Sequence, residues 1–253
     1  MTLRLIGDIS RRLDEGKEIL EKRLRNFERY KALPLETSPL YTKYVDPKIA
    51  GIDLNGLIEG EDGHIEWSLP SSISQILRNG RLIGRSSSAE VRLQTIQEAK
   101  DWVDSGNYGL LTLGENKFSA LIQAFYASGH ILVVDKGKAP KEHIHLVTLL
   151  DRPHISRNII IVGDGAKVAV VEEIYSPQPA EEGVFHAFSN EIILGENATL
   201  QLTTIQAADK SAKLFNVRDT YLKREASLDW ATVYLGGAFQ LGRVDHILAD
   251  EYC

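Results

Sequence analysis

Three histidines are the residues of this chain best suited to chemistry. His143 and His145 lie two residues apart in an apparent strand, so their side chains are expected on one face of that strand. With His186 and a carboxylate such as Glu142 or Glu191, they could bind a transition metal as in a cupin-like barrel. The rest of a cupin pattern is missing, so we interpret His143 and His145 as surface or packing residues. A cupin-like metal-binding enzyme is the alternative.

The segment around His186 and the one cysteine supply the remaining candidates for metal ligands. We prefer to interpret His186 as a polar residue that orders a turn, over transient handling of iron or sulfur. Cys253 is the only cysteine and the last residue, so this sequence forms no intrachain disulfide and no two-cysteine metal site. One thiolate cannot hold an iron–sulfur cluster, so a cluster would need ligands from a second chain. The metal-ligand candidates are therefore His186, Glu191 and Cys253; no catalytic residue is assigned.

Composition and motifs exclude several classes of function. The formal net charge of −6 argues against general nucleic-acid binding, which needs clustered Lys and Arg. Residues 163–165 read Gly-Asp-Gly, but no Gly-Lys-Ser/Thr pattern of a phosphate-binding loop follows, and no Gly-x-Ser-x-Gly elbow occurs. No apolar stretch approaches the roughly 18–20 residues that cross a bilayer, and the N-terminus lacks the apolar segment of a signal peptide. We therefore expect a cytoplasmic protein that does not hydrolyse nucleotides and that carries no signal for serine-based hydrolysis.

A recurring unit indicates the elements that position these residues. An apolar run, a turn, a small residue and a second apolar run occur at 160–168 and at 192–200, with a degraded copy at 221–228. The alanines of the three copies lie at 166, 198 and 226, which gives steps of 32 and 28 residues. Such a period is typical of stacked supersecondary units that bury their apolar faces only against their neighbours. The pattern predicts a mainly β protein with a β-solenoid or a β-sandwich in its second half.

The first half of the chain has a different pattern, because helical spacing of apolar residues precedes the β-rich runs. We predict an N-terminal helical α/β region over 1–130 and a β-helix core over 131–253. The predicted elements of the first region and its border are a helix over 8–31, a helix from Glu90 through Ala99 to Val103, a helix over Lys117–Ser128 that ends at a left-handed Gly129, and strands over 130–134 and 143–150.

Several segments occur in an order that is similar to one known family. They are the helix pattern Lys117–Phe125 with Ser128-Gly129-His130, then 157–162 with Glu172-Glu173, 185–191, Thr204-Ile205-Gln206 and 226–230 with Trp230. This order resembles the SufB/SufD family, the β-helical scaffold subunits of the Suf iron–sulfur cluster assembly machinery. The resemblance implies a right-handed parallel β-helix.

The resemblance also implies partners. A SufB/SufD-like chain is expected to be a non-enzymatic scaffold that pairs through its β-helix with a SufB-like subunit or with a second copy of itself. A SufC-like ATPase would dock on a C-terminal region that family members carry and this sequence lacks. We expect either that a partner covers the last coil or that the natural chain continues past Cys253. Cofactors are expected only as a transient iron–sulfur cluster shared with a partner chain. SufB proteins tend to carry a cysteine nine residues before Trp230, where this chain has Tyr221, and this favours the SufD type.

Overall fold

The computed structural model describes residues 2–35, 54, 57, 67–99, 111–112, 114–176 and 185–252. Within these residues there are three helices and twelve strands. The helices are α1 (Thr2–Arg12), α2 (Lys17–Ala32) and α3 (Lys117–Phe125). The strands are β1 (Ser74–Arg78), β2 (Arg81–Ser86), β3 (Val91–Thr95), β4 (His130–Val134), β5 (Ile144–Leu149), β6 (His154–Val162), β7 (Lys167–Tyr175), β8 (Phe185–Leu194), β9 (Thr199–Ala207), β10 (Lys213–Leu222), β11 (Ser227–Leu235) and β12 (Phe239–Leu248).

Successive strands from β4 to β12 alternate between two stacked sheets. Sheet A has the order β11-β9-β7-β5-β1-β2, and sheet B has the order β12-β10-β8-β6-β4-β3. From β5 to β11 in sheet A and from β4 to β12 in sheet B, every neighbouring pair is parallel. The chain therefore winds as a β-solenoid of about four turns, which confirms the predicted fold class.

Strand β7 shows how the sequence selects this arrangement. Its residues alternate between buried and less buried, and Val168, Val170, Glu172 and Ile174 form the buried set. In a strand such alternation sends one set of side chains to each face. Strand β8 is buried along nearly its whole length, because the helices cover the outer face of sheet B.

Phe215 on β10 ties the helices to sheet B. Its ring centroid lies 4.2 Å from that of Phe118 on α3, 5.3 Å from that of Phe185 on β8 and 5.2 Å from that of Phe239 on β12. Aromatic rings at these separations contribute more than their buried area alone. Through Phe118, helix α3 packs on an aromatic cluster that spans three neighbouring strands.

At the bend from sheet B to sheet A, one residue of each coil has a left-handed backbone. The φ angles are 70° at Gly137, 67° at Gly165, 56° at Asn197 and 57° at Glu225. Glycine and asparagine tolerate this region, whereas Glu225 carries a strain of about 1 kcal/mol or more. A buried alanine follows three of these residues, namely Ala166, Ala198 and Ala226. The recurring unit of the sequence is therefore the bend of the solenoid.

Two antiparallel strands cover the first coil, since β2 pairs with β1 and β3 pairs with β4. The loop between β1 and β2 consists of Asn79 (φ 44°) and Gly80 (φ 82°). Asn-Gly is the preferred pair for a two-residue hairpin loop. This dipeptide was a signal for the hairpin that the sequence analysis missed.

The predicted helix from Glu90 through Ala99 is wrong. Residues 91–95 form β3, in which Val91 and Leu93 are buried and Arg92 is exposed, and this is the alternation of a strand. Its predicted end at Val103 lies outside the described residues.

Two other boundaries differ from the prediction. The helix expected over 8–31 is two helices, α1 and α2, because the chain turns at Asp14 (φ 52°) and α2 begins after Gly16. Helix α3 ends at Phe125, and Gly129 does not have a positive φ.

Strands β1, β2 and β3 precede residue 131 in the chain and belong to the same two sheets as the later coils. The division into a region over 1–130 and a core over 131–253 stays a prediction.

Gly129 is required for close packing between coils. A Cβ at this position would lie 1.7 Å from the carbonyl oxygen of Arg157. We expect Gly129→Ala to lower the free energy of unfolding by at least about 2 kcal/mol, because the backbone of one coil must move. Urea unfolding followed by circular dichroism measures the change. Gly7→Ala is the control, since no atom lies within 4 Å of a Cβ there. An equal effect of the two substitutions would contradict this explanation.

Candidate functional site in the last coils

A hydrogen-bonded polar layer crosses the interior of the solenoid around Glu172, which is 1% exposed. Asn158 Nδ2 donates to Glu172 Oε1 at 3.0 Å, and Asn190 Nδ2 donates to Oε1 and Oε2 at 2.9 and 2.8 Å. Thr204 Oγ1 donates to Oε2 at 2.9 Å. A carboxylate removed from water needs such donors. The layer therefore connects sheet A, through β7 and β9, to sheet B, through β6 and β8.

The layer continues toward the last coil through Trp230, whose Nε1 donates to Thr204 Oγ1 at 3.0 Å. The guanidinium of Arg218 lies 4.9 Å from the Trp230 ring centroid, and its Nη1 donates to Thr232 Oγ1 at 3.0 Å. Arg218 is 3% exposed, and its Nε and Nη2 have no hydrogen-bond partner among the described residues. The polar layer thus ends at a buried cation with unused donors.

Two other buried side chains, Gln206 on β9 and Asn216 on β10, also lack hydrogen-bond partners among the described residues. Neither the oxygen nor the nitrogen of the Gln206 and Asn216 amides has a hydrogen-bond partner within the part of the chain described. Gln206 is fully buried and Asn216 is 2% exposed. Buried polar groups are nearly always bonded, so this end of the interior differs from the satisfied layer around Glu172.

The strands of the last coil present open edges. In the described residues, β11 pairs only with β9 and β12 only with β10. Large apolar side chains on these two strands are exposed, with Leu235 at 55% and Leu248 at 60%. The others in this group are Val233, Tyr234, Val244 and Ile247. We call these six residues and the two strand edges the last-coil surface. An open, apolar strand edge is a template for pairing with another chain.

His186 lies inside the solenoid and has few partners. It is 1% exposed, its Nε2 is 3.5 Å from Ser176 Oγ, and its Nδ1 has no partner among the described residues. Burial lowers the pKa of His186 to about 3, so the imidazole is neutral at physiological pH. His154 is the partner of His186 on the neighbouring strand β6, and burial is also the main cause that lowers the pKa of His154 to about 3.

Glu191 lies on the opposite face of the same strand, five residues after His186. It is 1% exposed and accepts a hydrogen bond from Arg157 Nε at 2.7 Å, so it forms a buried ion pair. The structure therefore does not bring His186 and Glu191 together. Cys253, the third candidate ligand, lies outside the described residues.

The two histidines of the cupin-like alternative are also separate from His186. His143 is exposed in the loop before β5, whereas His145 Nδ1 lies 2.6 Å from Glu173 Oε1 in sheet A. His186 is in sheet B. Among the described residues, no group of three or more His, Cys, Asp or Glu side chains is arranged to hold a metal ion. The geometry therefore gives the cupin-like enzyme no support.

A row of carboxylates begins at Glu191. Glu191, Asp219 and Asp245 are in register on β8, β10 and β12. Asp219 accepts a hydrogen bond from Thr112, and Asp245 forms an ion pair with Arg243 at 2.5 Å. Burial raises the pKa of Asp219 to about 6, with the neighbouring carboxylates of Glu191 and Asp245 adding to the effect against the Thr112 hydrogen bond.

These features define a class: a β-solenoid with a polar interior and an open last coil, with no helix in the described part long and apolar enough to cross a membrane. Residues 148–253 match the family model described as "SUF system FeS cluster assembly, SufBD core domain". The match covers strands β6 to β12, and it supports the SufB/SufD resemblance and a part in iron–sulfur cluster assembly. No curated protein matches the chain.

The residues that carried the resemblance meet inside the fold. Asn158, Glu172, Asn190, Thr204 and Trp230 come from five different strands and form one continuous hydrogen-bonded layer. Sequence analysis did not assign them to a site. The available signal was a polar residue at an inward position of an apolar strand, as at Glu172 between Val170 and Ile174.

The polar layer can be tested at Glu172. Asn158 and Asn190 donate to Oε1, and Asn190 and Thr204 donate to Oε2, so either orientation of a glutamine amide sets its NH₂ group against an asparagine donor. We expect Glu172→Gln to lower the free energy of unfolding by about 2–3 kcal/mol. Glu196→Gln is the control, because Glu196 forms an exposed ion pair with Arg224 and should change stability by less than about 1 kcal/mol. Urea unfolding of both variants measures the two changes in the free energy of unfolding. Similarly small changes for Glu172→Gln and Glu196→Gln would contradict the stabilising role of the polar layer.

Asp219 predicts a pH dependence of stability. Its pKa is raised in the folded state, so the folded protein binds the proton more tightly than the unfolded chain, and stability falls as pH rises from about 4 to about 6. We expect Asp219→Asn to be more stable than the original chain at pH 7, with the difference disappearing near pH 4. Urea midpoints measured at both pH values test this. A variant less stable at pH 7 would show that the Asp219 charge stabilises the fold.

Proposed function

We propose that this chain is a scaffold subunit of a Suf-type iron–sulfur cluster assembly complex, of the SufD type, that works in the cytoplasm. The observation that carries the proposal is the match of residues 148–253 to the SufBD core domain. The matched residues are the coils that contain the polar layer and the last-coil surface. Proteins of that family are scaffold or assembly proteins that normally work in complexes with other Suf proteins.

The last-coil surface is the proposed contact with a SufB-like subunit. Strands β11 and β12 offer unpaired backbone groups along edges of nine and ten residues. A partner coil that adds parallel strands to these edges would satisfy the backbone groups and cover the exposed leucines Leu235 and Leu248. Two solenoids joined in this way form one continuous, rigid platform.

The remaining parts of the proposal follow from the family resemblance. A SufC-like ATPase would move the joined platform, and the nascent cluster would be held transiently between chains as the cargo of the complex. Tyr221 on β10 supports the SufD type, because it occupies the position where SufB proteins tend to have a cysteine.

The experiment is anaerobic co-purification of this chain with SufB-like and SufC-like proteins from the same source, with bound subunits identified by mass. We expect the SufB-like protein to be recovered with this chain. Leu248→Asp should reduce its recovery about tenfold or more, because a charge would be buried in the new contact.

The control for this experiment is Ile83→Asp. Ile83 is 44% exposed on β2, the edge strand at the other end of sheet A, so its substitution should leave recovery unchanged. A chain that is monomeric and binds neither partner would contradict the proposal. An equal loss with both variants would contradict the placement of the contact at the last coil.

A further inference from the structure

A cavity of about 520 Å³ lies at the first coil, far in the fold from the last-coil surface. Its walls come from the end of α1, the β1–β2 loop, the turn after β3, the segment after α3 and the loop before β6. Pockets for small molecules have about 300–1,000 Å³, so the size fits a compact ligand and not a macromolecule.

The cavity is lined by three arginines, Arg12, Arg81 and Arg152. Glu98 is the one carboxylate among the described lining residues, and it already forms an ion pair with Arg85. Arg12 and Arg81 have no carboxylate within 4 Å in the part of the chain that is described. Two arginines that form no ion pair among the described residues therefore line this cavity together with Arg152, and this excess of positive charge suits an anionic ligand.

The floor of the cavity is neutral and shaped by a glycine. Ser128 lines it, and its Oγ lies 2.7 Å from His154 Nε2. The pKa of His154 is lowered to about 3, chiefly by burial and also by the nearby charges of Arg152 and Arg12, so His154 is neutral at physiological pH. A Cβ on Gly80 would lie 2.6 Å from that of Ser128, so only glycine lets the hairpin loop approach this closely.

We propose that this cavity binds a small anion that carries phosphate groups. A planar guanidinium donates two parallel hydrogen bonds to phosphate oxygens, and arginines on separate elements can reach different oxygens of one ligand. Helix α1 supplies Arg12 from its last turn and the hairpin supplies Arg81 at the start of β2, while Arg152 in the loop before β6 adds positive charge to the lining. The proposal goes beyond the scaffold function and does not rest on it.

Pyrophosphate is the probe, titrated into the full chain by calorimetry, with sodium chloride of matched ionic strength as the reference. We expect saturable binding that Arg12→Gln and Arg81→Gln each weaken about tenfold or more, the loss of one charge-assisted contact. Arg11→Gln is the matched control: Arg11 adjoins Arg12 in α1, pairs with Asp8 and does not line the cavity. It should change the dissociation constant by less than about twofold, since only remote charge is lost.

Two results of this titration would overturn the proposal that the cavity binds an anion. A heat of pyrophosphate binding no greater than the heat of the sodium chloride titration would overturn the proposal. Equal weakening of pyrophosphate binding by all three substitutions would also overturn it, because it would show that the protein attracts anions only through its diffuse positive charge. Urea unfolding without ligand checks that the variants fold. Arg12 and Arg81 are both exposed, so we expect unchanged midpoints.

Discussion

Stacking of one coil on the next is the interaction on which the rest of this structure depends. A single coil has two apolar faces and two open edges, and only its neighbours can cover them. The coils approach so closely that a Cβ on Gly195 would lie 2.6 Å from the backbone nitrogen of Asp164, in the bend of the preceding coil. Each bend therefore fixes the position of the next, and the whole register is transmitted along the solenoid.

The register of the strands determines which polar side chains meet in the interior. Because Asn158 and Asn190 are partners on neighbouring strands, their amides lie side by side and both reach Glu172. A slip of β7 by one residue would turn Glu172 outward and bring Glu173 inside, where these donors would meet a displaced carboxylate. The polar layer thus favours one register over its neighbours, in a way that interchangeable Val and Ile side chains do not.

The sequence predicted the solenoid because its bends recur as local signals. Ala166, Ala198 and Ala226 mark the bends, and the flanking runs have the composition of strands. The polar layer was less accessible, because Glu172, Asn190 and Trp230 are far apart in the chain and meet only through the stacking. Strand β3 was misjudged for a different reason: Ser86-Ser87-Ser88 before Glu90 is typical of a helix start, and the short alternation of Val91 and Leu93 was overlooked. The three arginines of the cavity come from elements whose relative placement no local pattern specifies.

Hydrogen–deuterium exchange of this chain, alone and with a SufB-like partner, tests most directly whether the open coil is the scaffold contact. In a parallel sheet, alternate amides of β12 point toward β10 and the rest point to the free edge. The account predicts that the partner protects these free-edge amides of β12, with β11 protected in the same way, while the edge strand β2 exchanges as before. Unchanged exchange in β11 and β12, in a sample where the complex is shown to form, would contradict it.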